Sequence, residues 1–226
     1  MNGEKIFMAL ELSAAAYRDV QPIMPECSLS VIDSSAGVQC FVRRCADTLT
    51  ITFRGTDSSR DWLTNLRFWK KTVPYGNRLS PIRVHSGFIR AYKATDVRGA
   101  ILSNIVDDIN KIRICGHSYG AALSVLCAVD IEYNFPNRDI EVALFGCPRV
   151  GNRAFAESYN RRVFKTIRVE NGNDMVTKLP PLVLGYRHVG ARLCLRKSRP
   201  LCGMMKNGHS LQLYFESMLN ERGIFC

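Results

Sequence analysis

Gly116-His117-Ser118-Tyr119-Gly120 sets a serine between two glycines, directly after the apolar run KIRIC (111–115) and directly before AALSVLCAV (121–129). In that context G-x-S-x-G predicts a sharp strand-to-helix turn that lifts the serine hydroxyl to the top of a sheet in a strained backbone conformation. Strand and helix approach too closely there for side chains at the flanking positions. The helix N-terminus also offers N–H groups and a positive dipole end to a developing oxyanion. Ser118 is therefore read as a nucleophile of acyl-transfer chemistry. The same five residues outside that context would equally describe a Gly-flanked turn with an incidental serine.

A serine hydroxyl needs a base held in the right tautomer, and in strand–turn–helix sites the chain order is serine, acid, histidine. The sequence holds four histidines. His85 precedes Ser118, and His117 adjoins it and is expected to point away across the turn. Of the two that remain, His209 follows Asn207-Gly208 and opens an amphipathic helix, a loop-to-helix position with the freedom a base needs. His188 sits in the short apolar run LGYRHVG, where a structural histidine is expected, so His209 is favoured. Among the acids after Ser118, Asp130 lies late in the following helix and Asp139 precedes a strand, both at the wrong end of a sheet. Asp174 lies just past the strand VFKTIRVE, across the turn Asn171-Gly172-Asn173, with a turn-capping role as its alternative and Glu170 as runner-up.

These side chains need a scaffold, and the pattern of apolar residues supplies one. A first helix runs through Phe7, Leu10 and Tyr17 and ends before Gln21-Pro22. VQCFVRR (38–44) and TLTITFR (48–54) predict a hairpin. A long helix is expected from about Gly87 to Asn110, with Phe88/Tyr92 and Val97/Ile101/Ile105 four apart. From KIRIC onward strands alternate with helices: AALSVLCAVDIEY apolar nearly all round, then VALFG, a helix near 152–160, VFKTIRVE, and a last helix over 210–220. Such alternation implies an α/β fold with a mostly parallel sheet covered on both faces. No repeat or low-complexity linker divides the 226 residues, so one domain is expected.

Composition narrows the function classes. The chain carries a net charge of +11, but the basic residues are spread along it with no helix-turn-helix, RRM or zinc signature, so no nucleic-acid partner is expected. No stretch approaches the ~18 apolar residues of a membrane span. The nine cysteines include no C-x-x-C pair, and several sit in apolar runs where a reduced thiol is a small hydrophobe. The start, MNGEKIFMALELSAAAY, has Glu4 and Glu11 in its apolar part and reads as a helix rather than a secretory signal. A reducing, intracellular setting is the expectation.

Seven segments, in order, resemble the class 3 lipases, an α/β-hydrolase family typified by fungal triacylglycerol lipases: ITFRGTDSSRDWLTNL (51–66), VHSGF (84–88), ICGHSYGAAL (114–123), FGCPRVGN (145–152), NGNDMVTKLPP (171–181), YRHVG (186–190) and GHSLQLYF (208–215). The resemblance implies an α/β-hydrolase fold in which Ser118, Asp174 and His209 form the catalytic triad. It places Thr56 and the N–H of Tyr119 in an oxyanion hole, and makes about residues 57–69 a short helical lid with Trp62, Leu63, Leu66 and Trp69 on its apolar face. A core-facing helix is the alternative for that stripe. The implied activity is hydrolysis of lipid esters, acylglycerols first, with acyl removal from phospholipid as the alternative. Neither cofactor nor metal is implied, and an anionic membrane surface is the expected peripheral contact. A lipase-like protein that only binds is the competing class, and the complete triad argues against it. The basic segment between YRHVG and GHSLQLYF is short, which leaves acyl-chain length open.

Overall fold

The computed structural model describes residues 1–56, 68–73, 77, 79–172, 174–195 and 208–220. In chain order its elements are α1 (Gly3–Ala15), β1 (Cys27–Asp33), β2 (Gln39–Cys45), β3 (Thr48–Phe53), β4 (Lys70–Thr72), β5 (Arg83–His85), α2 (Ser86–Tyr92), α3 (Thr95–Leu102), β6 (Lys111–His117) and α4 (Tyr119–Asn134). There follow β7 (Asp139–Phe145), β8 (Gly151–Asn152), α5 (Arg153–Arg162), β9 (Thr166–Asn171), 3-10 turns at Val176–Lys178 and Leu182–Leu184, β10 (Tyr186–Arg187), β11 (Ala191–Leu195) and α6 (Leu211–Asn220).

The main sheet runs β1-β2-β3-β6-β7-β9-β11. The hairpin β2–β3 and its neighbour β1 are antiparallel, and every pairing from β3 onward is parallel. Successive side chains point to opposite faces, which sorts the apolar runs into two cores. Ile112, Ile114, Val142 and Leu144 pack with α2, α3, α4 and α5, whereas Cys115, Ala143 and Phe145 pack with α1 and α6. The expected mostly parallel sheet covered on both faces is what the chain forms. A second sheet, β10-β8-β5-β4, is antiparallel throughout. Among the described residues no helix is long and apolar enough to cross a membrane.

Three expectations are corrected. The single helix expected over about 87–110 is two, α2 and α3. Lys93 and Ala94 break it because Asp96, in the first turn of α3, is held by Ser34, whose Oγ donates to its carboxylate at 2.8 Å. The break still lets Phe88, Tyr92, Val97 and Ile101 all be buried. The lid segment lies outside the described residues, Trp62, Leu63 and Leu66 with it. Its described end, Trp69, is not helical. The Trp69 carbonyl accepts from the Ser86 N–H at 2.8 Å, and Lys70 pairs with His85 across β4 and β5, so the backbone is drawn into sheet; the indole is 72% exposed.

The third correction concerns the cysteines. Cys27 and Cys45 stand opposite each other at the open end of the β1–β2 ladder and are joined by a disulfide. Such a bond persists in oxidising compartments, against the expected reducing setting. Cys115 and Cys127 are buried free thiols, as their apolar runs suggested, and Cys40 and Cys147 are buried and free as well.

The disulfide closes a loop across a sequence separation of 18 residues, for which chain entropy gives about 3 kcal/mol. Cys27→Ser/Cys45→Ser should lower the unfolding free energy by that order in urea titrations. Reductant should act the same way on the native chain and leave the variant unchanged.

Candidate active site

Ser118 connects β6 to α4 with φ 59° and ψ −124°, a region side chains rarely occupy. Its N–H donates to the Phe145 carbonyl at 2.9 Å, tying the turn to the end of β7. The flanking glycines are forced by space. A Cβ on Gly120 would lie 2.3 Å from the Phe53 carbonyl oxygen, and one on Gly116 would lie 2.7 Å from the Gly120 backbone. The turn has the form expected of GHSYG, with Ser118 buried.

His209, on the loop that leads into α6, comes to the serine from the chain's far side. Its Nε2 lies 2.7 Å from Ser118 Oγ and its Nδ1 lies 2.8 Å from Asp174 Oδ2. A carboxylate only accepts, so the Nδ1–H donates to Asp174 and the Nε2 lone pair faces the hydroxyl. Asp174 is buried as well. Burial pushes its carboxyl up, but donors from His209, Tyr214 and the Val176 N–H outweigh this and hold it below the usual range. The Tyr214 hydroxyl donates at 2.6 Å and the Val176 N–H at 2.8 Å. Glu170, the other acid considered, is engaged elsewhere, by Arg168 and by Arg192 Nε at 2.6 Å. The loop that follows Asp174 is braced from outside. Arg149 donates to the Lys178 and Pro180 carbonyls, and His188 Nε2–H donates to the Thr177 carbonyl at 2.7 Å.

His117 does not point away as expected. Its ring stacks 4.5 Å from that of His209, and Nε2 donates to the His209 carbonyl at 2.9 Å. The other nitrogen, Nδ1, then accepts from the Tyr17 hydroxyl, also at 2.9 Å. Burial, aided by the neighbouring His209, pushes His117 down to about 3, so it stays neutral and fixes the main chain of the histidine above it. Tyr17 and Tyr214 carried no sequence signal for this role, because their partners are 100 and 40 residues away.

Thr56 follows β3, and its Oγ1 is shielded from solvent without a partner among the described residues. Tyr119 opens α4, where backbone N–H groups point out of the helix. Among the described residues no group of three His, Cys, Asp or Glu side chains is placed to hold a metal ion.

A buried serine hydroxyl facing an imidazole that is itself bonded to a carboxylate can lose its proton as it attacks a carbonyl. A family profile described as Lipase (class 3) matches residues 50–184, more than half of the chain. The chain belongs to the class 3 lipases. A secreted mono- and diacylglycerol lipase of Fusarium solani is 30% identical over 165 residues, 70% of this chain and 48% of that protein. The chloroplastic phospholipase A(1) DAD1 of Arabidopsis thaliana is 33% identical over 157 residues, 62% of this chain and 35% of its own length. The chain thus spans about half, or less, of these relatives. The solved triacylglyceride lipase of Rhizomucor miehei superposes with a TM-score of 0.75 at 24% identity, over 85% of this chain and 79% of that one, which places the fold among the α/β-hydrolases. The Fusarium solani relative is a secreted protein. With the Cys27–Cys45 bond, it overturns the reducing, intracellular expectation drawn from the N-terminus and the scattered cysteines.

Gly146 has φ 57°, and a Cβ there would fall 2.9 Å from both Asp174 Oδ2 and His209 Cε1. Gly37, at φ 71°, has nothing within 4 Å of the same position. Gly37→Ala should cost stability alone, about 1 kcal/mol. Gly146→Ala should also slow labelling of the serine by a fluorophosphonate at least tenfold; labelling rates and urea midpoints separate the two.

His188, like His117, is pushed down to about 3, by burial first and then by Arg168. Between about 6.5 and 3 the unfolded chain takes up protons that these two native imidazoles refuse. Stability is therefore highest above pH 6.5 and falls as pH drops through that window. Asp174 adds a loss of the same sign below its ordinary pKa. His188→Gln should flatten the slope of urea midpoint against pH between 7 and 4.

Proposed function

We propose that this class 3 lipase is a serine carboxylic ester hydrolase acting on lipid esters, with acylglycerols as its first substrate class. The observation that carries the proposal is the unbroken line Ser118 Oγ, His209 Nε2, His209 Nδ1, Asp174 Oδ2, at 2.7 and 2.8 Å. Ser118 attacks the acyl carbonyl as its proton passes to His209. The carbonyl electron pair moves onto oxygen, where the Tyr119 N–H and the Thr56 N–H and hydroxyl stabilise it. Collapse breaks the ester bond, and the departing glycerol oxygen takes the proton from His209. Water, deprotonated by His209, then attacks the acyl-enzyme and releases a fatty acid and Ser118. Asp174 remains ionised throughout and stabilises the imidazolium. The reading treats residues 1–226 as one hydrolase domain, takes Trp62, Leu63 and Leu66 as part of a lid, and includes contact with an anionic lipid surface.

Removal of an acyl chain from phospholipid is the second reading. It is favoured by the 33% identity to a phospholipase A(1) and by the net charge of +11, which suits a phosphate-bearing substrate surface.

Ser118→Ala should abolish ester hydrolysis and fluorophosphonate labelling while the fold survives. Asp174→Asn should lower kcat about 10⁴-fold, as removal of the carboxylate does in other triads. His209→Ala should be comparably inactive and His188→Ala active but less stable. An inactive His188→Ala beside an active His209→Ala reverses the assignment of the base. A panel of mono-, di- and triacylglycerols with phospholipid vesicles ranks the two substrate classes.

A further inference from the structure

Residues 68–93, 145–152 and 175–190 contain no Asp or Glu. These stretches build the entire second sheet, β10-β8-β5-β4, and the Leu182–Leu184 turn beside it. They bring Lys70, Arg83, Arg149, Lys178 and Arg187 to one part of the molecule, and among the described residues none of the five is ion-paired with a carboxylate.

The turn itself is apolar and outward. Leu182, Val183 and Leu184 are 52, 91 and 43% exposed. Pro181 leads into it, and Gly185, at φ 75°, closes it with its N–H on the Leu182 carbonyl at 2.8 Å. Three consecutive apolar side chains on so tight a turn cannot all face inward, and the backbone bonds hold them out in a fixed shape.

Cations rim this tip. Lys70 Nζ donates to the Leu184 carbonyl and sits 4.6 Å from the Tyr186 ring centre. Arg187 Nη1 donates to the carbonyls of Leu182 at 3.2 Å and Tyr186 at 2.8 Å. Arg149 holds the Lys178 and Pro180 carbonyls just before the turn. All three donate to neutral carbonyls, so their charge is not cancelled; among the described residues none of them meets a carboxylate. Burial lowers the Lys70 ammonium, and the nearby Arg83 adds to it. The exposed Trp69 adjoins Lys70. The patch is also linked to the elbow: the His85 ring lies 6.2 Å from Tyr186 and 4.2 Å from Phe88, and Phe88 lies 5.8 Å from Tyr119, next to Ser118.

We infer that the Leu182–Leu184 turn and Trp69, within the rim of Lys70, Arg149 and Arg187, dock onto an anionic bilayer, independently of residues 57–67. The apolar tip enters the headgroup boundary while the rim meets lipid phosphates. Either signal alone gives weak, reversible attachment, and the two together give a stable one. The inference rests on the lipid-ester reading for its purpose but on the patch for its evidence.

The test uses the full chain, with vesicles of phosphatidylglycerol or of phosphatidylcholine, by sedimentation at low and high salt. Wild type should bind phosphatidylglycerol at least tenfold more tightly than phosphatidylcholine, and salt should remove most of that difference. Val183→Asp, at a side chain with almost no packing to lose, should weaken phosphatidylglycerol binding at least tenfold. Ile23→Asp, equally exposed outside the patch, should not. Hydrolysis of a short soluble ester should be unchanged in both variants. Equal binding to the two lipids, or undiminished binding by Val183→Asp, overturns the inference. So does a wild-type dimer that Val183→Asp dissociates without any vesicle binding, which assigns the turn to a second copy of the chain. Intact, Val183-dependent vesicle binding by a wild type inert toward every ester supports the docking surface and overturns the hydrolase reading alone.

Discussion

Holding Ser118 at a positive φ between β6 and α4 is the constraint to which the surrounding structure answers. A side chain in such a region costs on the order of 1–3 kcal/mol and persists only where its surroundings leave no alternative. Here the parallel register sets Phe53 beside Gly116 and His117 beside Phe145, so three strand ends converge on the turn. The Ser118 N–H is spent on Phe145, and Gly120 lies against the end of β3 so closely that only hydrogen fits. Relaxing the serine would require parting strands whose inward faces are fully buried. The strain is thus offset by the core, and the hydroxyl stays aimed.

Around that hydroxyl the chain concentrates polar groups in a place from which water is largely excluded, where each unmet hydrogen bond would be costly. The outcome is a network whose members are mutually satisfied. Asp174 accepts from His209, Tyr214 and Val176, and His117 joins Tyr17 to the backbone of His209. Different partners distinguish the histidines. His117 and His188 are kept neutral by burial and by neighbouring positive or imidazole groups, whereas His209 alone stands between a carboxylate and a hydroxyl. Satisfaction of the whole network, more than any single contact, fixes the tautomer of His209.

The elbow was legible in the sequence because its requirements are local: two glycines, a strand before and an apolar helix after. The α/β alternation and the β2–β3 hairpin were legible for the same reason, and Asp174 and His209 followed from chain order and loop position. What escaped is non-local or unpunctuated. β1 (CSLSVID) shows almost no buried face, with Leu29 and Val31 exposed, so it has no hydrophobic pattern to read. The break between α2 and α3 has neither proline nor glycine at it and depends on Ser34, 62 positions from Asp96. The Cys27–Cys45 bond could be seen only once β1 was known to lie on β2. The His117 ring is not legible in the sequence, because the turn's geometry decides where it goes.

The order in which the site's parts occur along the chain gives it a timetable. His209 is made 91 residues after Ser118, and it is seated by α6 packing on α1, where the rings of Phe7 and Phe215 meet edge to face 5.7 Å apart. At the usual pace of translation that interval is roughly 5–20 s. Throughout it the elbow's strands and helix can already be present, yet the serine has neither base nor acid beside it. The line Ser118, His209, Asp174 is therefore complete only with the contact between α1 and α6.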